Sequence, residues 1–332
     1  MENQAQRSIR GLDSIRFVCA FWVAVSHLGL PDLPIGNAYK LLFNGPAAVI
    51  VFFVVSGLCI HYPHRDGRTP RWSTYFVRRY VRILLPLAAG LLFAHQVGLP
   101  IAYFRDGILW SLVAEMLYYT AYPLILIGRR LCGWKLIIGA STALSLTIVL
   151  TNSHLTGIPQ FGFGLAWLIC LPSWLLGCRL AETIDRDDSP SRLPVWIARL
   201  GVLGAGALCT YLDDQTPLHY SLTLPLFGFV ACGWLSLEIA RFKVRSPWRA
   251  LEWGGTWSYS LYLLHLPASK VFAMLSLPAI PYLNWAGYLG LTMLISYGFF
   301  LLVERPAHEA AKRLSGGLRG RSAEPMMAGT SP

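Results

Sequence analysis

Long apolar stretches separated by short polar ones run along nearly the whole chain. Ten can be marked, at about residues 12–30, 41–61, 81–98, 109–127, 135–151, 161–180, 195–212, 218–240, 256–276 and 283–303. A helix needs about 20 apolar residues to cross ~30 Å of hydrocarbon, and the third and seventh stretches are short for that. The pattern predicts an all-α polytopic membrane protein, a bundle of about ten transmembrane helices with no soluble domain. Residues 1–11 form a leading segment and 12–306 the transmembrane domain. Residues 307–332 are expected to be a disordered tail, rich in Gly, Ser, Pro and Arg from Ser315 onward. No internal repeat stands out, which weakens a secondary-transporter reading without removing it.

Composition agrees: 55% of the 332 residues are hydrophobic and the mean hydropathy is +0.48. The net charge of +11 would suit a nucleic-acid partner, but its distribution argues against one. With the amino terminus in the cytoplasm, every Lys and Arg except Lys40, Arg105 and Lys270 falls in or beside a cytoplasmic segment. That is the positive-inside pattern, so the charge reports topology, and both termini are expected to be cytoplasmic. The seven cysteines show no CxxC or Cys/His spacing, so neither a metal site nor a disulfide framework is indicated.

Polar groups inside the spans carry the chemistry. The stretch RGLDSIRFVCAFWVAVSHLGL holds Asp13, Arg16 and His27 in an otherwise apolar helix. Eleven residues return almost to the same helical face, roughly 16 Å along the axis, which predicts Arg16 at the cytoplasmic mouth and His27 deep in the membrane. Ionisable groups at such depth are costly and functional by default. The second span ends in GPAAVIVFFVVSGLCIHYP; Gly45, Ala47, Ala48, Ser56 and Gly57 suit close helix packing. Next comes HRDGRTPRWSTYFVRRYVRILLP, in which Arg79 and Arg82 share a face. Such arginines either fix topology or grip the phosphates of a cytoplasmic nucleotide-bearing ligand, and spacing alone leaves the two readings even.

In LWSLVAEMLYYTAYPL, Ser111 and Glu115 share a face, with Tyr118 and Tyr119 one turn on. A carboxylate within a span needs a partner, and Arg16, His27 and a tyrosine hydroxyl are the candidates. The ninth span, WSYSLYLLHLP, sets Ser258, Tyr262 and His265 in one polar stripe, with Tyr259 read as core packing. The loop ETIDRDDSPSR mixes both charge signs and reads as solvated.

Taken in order, these segments resemble the membrane-bound acyltransferase-3 family. The resemblance rests on Arg16-x10-His27, GPAAVIVFFVVSG, RRYVRILLP, LWSLVAEMLYY, SYSLYLLH and the VERP exit, and it covers Arg10 to Pro306. It implies transfer of an acyl group, often acetyl, from cytoplasmic acyl-CoA to a hydroxyl, commonly of a cell-envelope or exported glycan, at a bacterial inner membrane. It also implies that His27 is the catalytic histidine with Arg16 its partner, that Arg79 and Arg82 bind CoA phosphates, and that Glu115 is the family's acidic residue. Asp13, Ser111, Tyr118, Ser258, Tyr262 and His265 are supporting candidates. Acetyl-CoA or another acyl-CoA would be a co-substrate, with no permanently bound cofactor. A sugar or lipid-linked glycan and the lipid bilayer would be the other partners. Leu12-Asp13-Ser14-Ile15-Arg16 departs from the usual Leu-Asp-Gly-Leu-Arg, and Ala114-Glu115 leaves one carboxylate where relatives often have two.

A neutral imidazole, with an unperturbed pKa of about 6.5, suits proton removal from a hydroxyl. Glu115 or Asp13 could orient its other nitrogen, and Arg16 could steady developing negative charge. His27 could instead carry the acyl group itself. The competing class is a proton-coupled transporter or flippase that uses His27, Arg16 and Glu115 as a relay or substrate site.

Overall fold

The computed structural model describes residues 9–28, 38–185, 194–276, 278 and 280–321. Among these, every regular element is helical: α1 (Leu12–Leu28), α2 (Ala38–Leu42), α3 (Gly45–His61), α4 (Trp72–Gln96), α5 (Ile101–Phe104), α6 (Trp110–Thr151) and α7 (Gly162–Thr183). The second half adds α8 (Val195–Gln215), α9 (Tyr220–Val244), α10 (Arg249–Gly255), α11 (Ser258–Met274), α12 (Pro281–Phe299) and α13 (Arg305–Arg321). Each of the ten expected spans overlies one of these helices. Among the described residues, six stretches are long and apolar enough to cross a membrane by length and composition alone. Of the others, α11 has 17 residues and arginines lower the hydropathy of α4, while α1 is described only as far as Leu28.

The two spans expected at 109–127 and 135–151 are the two helical halves of α6, which meet at a kink at Gly133, whose backbone is left-handed (φ 73°, ψ 163°). An L-residue with a side chain rarely adopts that conformation, so glycine marks the break. Two π-helical turns, Arg105–Leu109 and Phe300–Glu304, join α5 to α6 and α12 to α13.

The core lies where α1, α3, α6, α7, α9 and α11 meet. Its tightest contact is between α3 and α7. A Cβ on Gly57 would run into the Trp174 carbonyl, and one on Gly177 into the Val54 carbonyl, so both backbones approach as only glycine allows. This pins α3 against α7 and turns the opposite face of α3 toward α1 and α6.

At the Arg16 end of the bundle a buried polar cluster ties three helices. His61 of α3 bonds the Tyr122 hydroxyl and Glu182 of α7, each at 2.9 Å, and Arg129 of α6 lies 2.8 Å from the same carboxylate. The expected solvated loop therefore starts later than the sequence suggested, because Glu182 is neutralised inside the bundle. Residues 186–193 of that loop lie outside the described residues.

The expected disordered tail also needs correction. Residues up to Arg321 form α13, because Ala307, Ala311 and Ser315 recur every four residues and give a small, buried stripe that packs on α4. Residues 322–332 lie outside the described residues.

Candidate active site

Two cavities of about 390 Å3 each enter the bundle from its opposite ends. Because α1 and α3 run antiparallel, one end gathers the start of α1, the end of α3 and the start of α4. The other end gathers the end of α1 with the start of α3. The first cavity is lined by Asp13, Arg16, Arg79, Arg82, Glu115 and Tyr119, together with Ser111, Ser258 and Tyr262. The second is lined by His27, Tyr39, Trp110, Tyr220, Asp106 and Asp214. Val49 of α3 lines both. A single valine side chain is thus common to the two chambers.

The arginine cavity is built from five helices, α1, α3, α4, α6 and α11. Arg16 lies 3.5 Å from Asp13 one turn earlier on α1, a pairing set by the i, i+3 spacing. The Arg79 guanidinium stands 5.7 Å from the centre of the Tyr119 ring. The Arg82 Nε–H donates to His308 Nε2 of α13 at 2.9 Å, and Glu304 lies 3.5 Å from the same histidine. Glu304 in turn accepts from the backbone N–H and hydroxyl of Ser260 at 3.1 and 2.5 Å. One edge of the Arg82 fork is therefore fixed by α13, and its terminal nitrogens remain for the cavity.

Glu115 takes the tyrosine partner among the three that the sequence offered. Its carboxylate accepts from the Tyr119 hydroxyl one turn along α6 and from the Ser56 hydroxyl at 2.8 Å. Ser56, read from sequence as a packing residue, thus faces the cavity. Cys59, one turn further along α3, lines it as well. Neither carried a sequence signal, since both sit in an apolar run. Ser111 donates to the Ile108 carbonyl at 2.9 Å and pairs with the Tyr262 hydroxyl at 2.6 Å. Ser258 donates to the Gly255 carbonyl, and Tyr259 to that of Ile83.

Three expectations need correction. Tyr118 does not join the site: it is fully buried, and its hydroxyl donates to the Trp167 carbonyl at 2.7 Å. Adjacent residues on a helix point about 100° apart, so with Tyr119 on the cavity face Tyr118 falls into the core. His27 does not line the Arg16 cavity; it is in the last described turn of α1, exposed, in the other chamber. Nor do Glu115 and Asp13 orient it. Its Nδ1–H donates to the Val23 carbonyl at 2.9 Å, with the Ser26 hydroxyl 3.4 Å away. Helical periodicity placed Arg16 and His27 on one face, but the rise between them sets one on each side of Val49.

His265 is wholly buried behind the second chamber. Its Nδ1–H donates to the Tyr262 carbonyl at 2.7 Å, and its ring centre is 4.9 Å from that of His27.

The arrangement offers a cationic, hydroxyl-rich chamber at one end and an aromatic chamber with a basic imidazole at the other. The first suits a polyanionic ligand, since arginine forks meet phosphate oxygens bidentately. The second suits a ligand that stacks and hydrogen-bonds.

Comparison with known families gives one match: a family described as an acyltransferase domain, acyltransferase-3, covers residues 9–301. No curated protein and no solved structure matches the chain.

Proposed function

From the premise that the chain belongs to the acyltransferase-3 family and is a membrane acyltransferase, we propose that it is an O-acyltransferase, most simply an O-acetyltransferase, that draws on cytoplasmic acyl-CoA. The observation that carries this reading is the shared wall at Val49, between a chamber holding three arginines and a chamber holding His27. Acyl-CoA enters the arginine chamber with its phosphates on Arg79 and Arg82, which puts both termini in the cytoplasm of a bacterial inner membrane. Its pantetheine arm runs inward, past Glu115 and Tyr119, toward Val49.

The acceptor occupies the His27 chamber, open to the outer side. Tyr39, Trp110 and Tyr220 give flat apolar surfaces for a sugar ring, and Asp106 and Asp214 give carboxylates for its hydroxyls. This supports a hydroxyl of a cell-envelope or exported glycan as the acceptor.

The Nδ1–H of His27 is engaged by Val23, so Nε2 carries the lone pair. It takes the acceptor's hydroxyl proton as the oxygen bonds to the thioester carbonyl carbon. The carbon–sulfur bond then breaks, and the departing sulfur receives the proton. Arg16, at the inner chamber, stabilises negative charge on the donor side. In a carrier variant of this scheme, Nε2 takes the acyl group first and passes it to the hydroxyl.

The test is release of free CoA thiol by purified protein given acetyl-CoA and envelope glycan, with mass spectrometry of the acceptor. Acceptor-dependent release with a gain of acetyl mass is expected. His27→Ala should lower it by about 10²–10⁴-fold while the protein still inserts and folds. Activity of His27→Ala within a few-fold of wild type would remove His27 from the mechanism.

Two chambers entering from opposite ends and sharing Val49 are also what a carrier would display, so a proton-coupled transporter or flippase is the second reading. Glycan movement across vesicles without any thioester consumption would favour it.

A further inference from the structure

One side chain of the arginine chamber is reached from α13, beyond residues 9–301 that match the family, so membership of the family assigns that contact no role. His308 Nε2 takes the Nε–H of Arg82 at 2.9 Å. A guanidinium has no lone pair to offer, so it is the donor and Nε2 is bare. His308 is therefore a neutral imidazole with its one hydrogen on Nδ1.

The Glu304 carboxylate stands 3.5 Å from the same Nε2, which has no hydrogen to give it. The backbone N–H and hydroxyl of Ser260 on α11 hold that carboxylate instead. One imidazole nitrogen thus meets both the guanidinium and the carboxylate, and it bonds the guanidinium. The docking of α13 on α4 through Ala307, Ala311 and Ser315 fixes the imidazole in this place.

This choice of partner has a chemical consequence. A guanidinium meets a phosphate along one of two edges, side-on through Nε and one Nη, or end-on through both Nη atoms. With Nε–H given to His308, the side-on edge is closed. Arg82 makes no second hydrogen bond among the described residues, and it lines the chamber, so the end-on edge is what it offers there. A neutral acceptor also leaves the positive charge whole. A direct pair with Glu304 would offset that charge before any ligand arrived.

We propose that His308 is a positioning residue for the donor, holding Arg82 end-on and uncompensated so that it grips a phosphate of acyl-CoA. This rests on the reading of the arginine chamber as the donor site. His308 touches no donor atom in this scheme and acts through Arg82.

Two substitutions separate positioning from helix packing. His308→Gln places a neutral acceptor oxygen near the Nε2 position, whereas His308→Asn is one carbon shorter and falls short of Arg82. Calorimetry of the purified full chain in detergent, with CoA as the probe, compares them. Gln should bind CoA within about threefold of wild type, and Asn about tenfold or more weaker, the scale of one hydrogen bond to a charged group. With acetyl-CoA, Asn should raise KM more than it lowers kcat. In an Arg82→Ala background Asn should add less than about twofold, because the residue it acts through is gone. Glu309→Gln, at an exposed position of the same helix, is the control and should bind CoA as wild type does.

Wild-type affinity in the Asn variant, or an equal loss with and without Arg82, would overturn the role. A second measurement needs no ligand. In 15N-histidine NMR of the wild-type protein, the signal that His308→Gln removes should show a bare Nε2 near neutral pH; an Nε2–H there would also overturn it. Wild-type protein that binds no CoA would overturn the donor-site reading together with this role. Wild-type binding with an indifferent Asn variant would overturn this role alone.

Discussion

Arg16 and His27 stand on one helix, eleven residues apart, and open into different chambers that share Val49 of the neighbouring helix. The rise between them, roughly 16 Å, is about half the hydrocarbon thickness. On the function proposed above, a donor in one chamber and an acceptor in the other would meet at Val49.

That wall can be tested directly. Val49→Phe should narrow the passage and lower kcat about tenfold or more while acyl-CoA affinity stays near wild type. Overpacking at this buried position costs about 1–3 kcal/mol, so melting temperature is followed in parallel. Unchanged turnover in a well-folded variant would mean that the two chambers do not communicate at Val49.

Arg82 ties the arginine chamber to α13 through His308. Arg82→Ala should raise KM for acyl-CoA more than it lowers kcat, and calorimetry should report weaker CoA binding. Arg82→Lys should restore little, since an ammonium cannot bond His308 and present a fork at the same time. If Arg79 and Arg82 can both be neutralised with CoA affinity intact, their role is topological only.

Glu115 and Tyr119 act as a unit, because the hydroxyl donates to the carboxylate one turn away. A hydrogen bond to a charged group is worth about 1.5–3 kcal/mol, so Glu115→Gln and Tyr119→Phe should each cost roughly 10–100-fold in turnover. The double variant should cost less than the product of the two. Strict multiplicativity would show that they work independently.

Gly177 tests the scaffold. A Cβ there would meet the Val54 carbonyl and the Leu58 amide, backbone atoms that cannot rotate away. Gly177→Ala should destabilise the protein by about 1–3 kcal/mol, read as a lower melting temperature in detergent. Gly139→Ala, where the new methyl group would meet nothing within 4 Å, is the control and should be neutral or mildly stabilising.

The apolar pattern alone carried the helical class and the approximate positions of the helices. Hydropathy is summed over about 20 residues and tolerates local error. The chemistry-bearing residues were legible too: an Arg, a His or a Glu inside such a span is conspicuous whatever surrounds it. Pairing was not legible, because it depends on which helices become neighbours. Glu115 found Ser56, 59 residues away, and Arg82 found His308, 226 residues away. His265 was left with an unpaired Nε2 beside His27, a fact of two helices meeting that no spacing within α11 encodes. The split into two chambers was likewise decided in three dimensions. Periodicity gives the face on which a side chain stands, but the partner helices determine where along that face the protein is hollow.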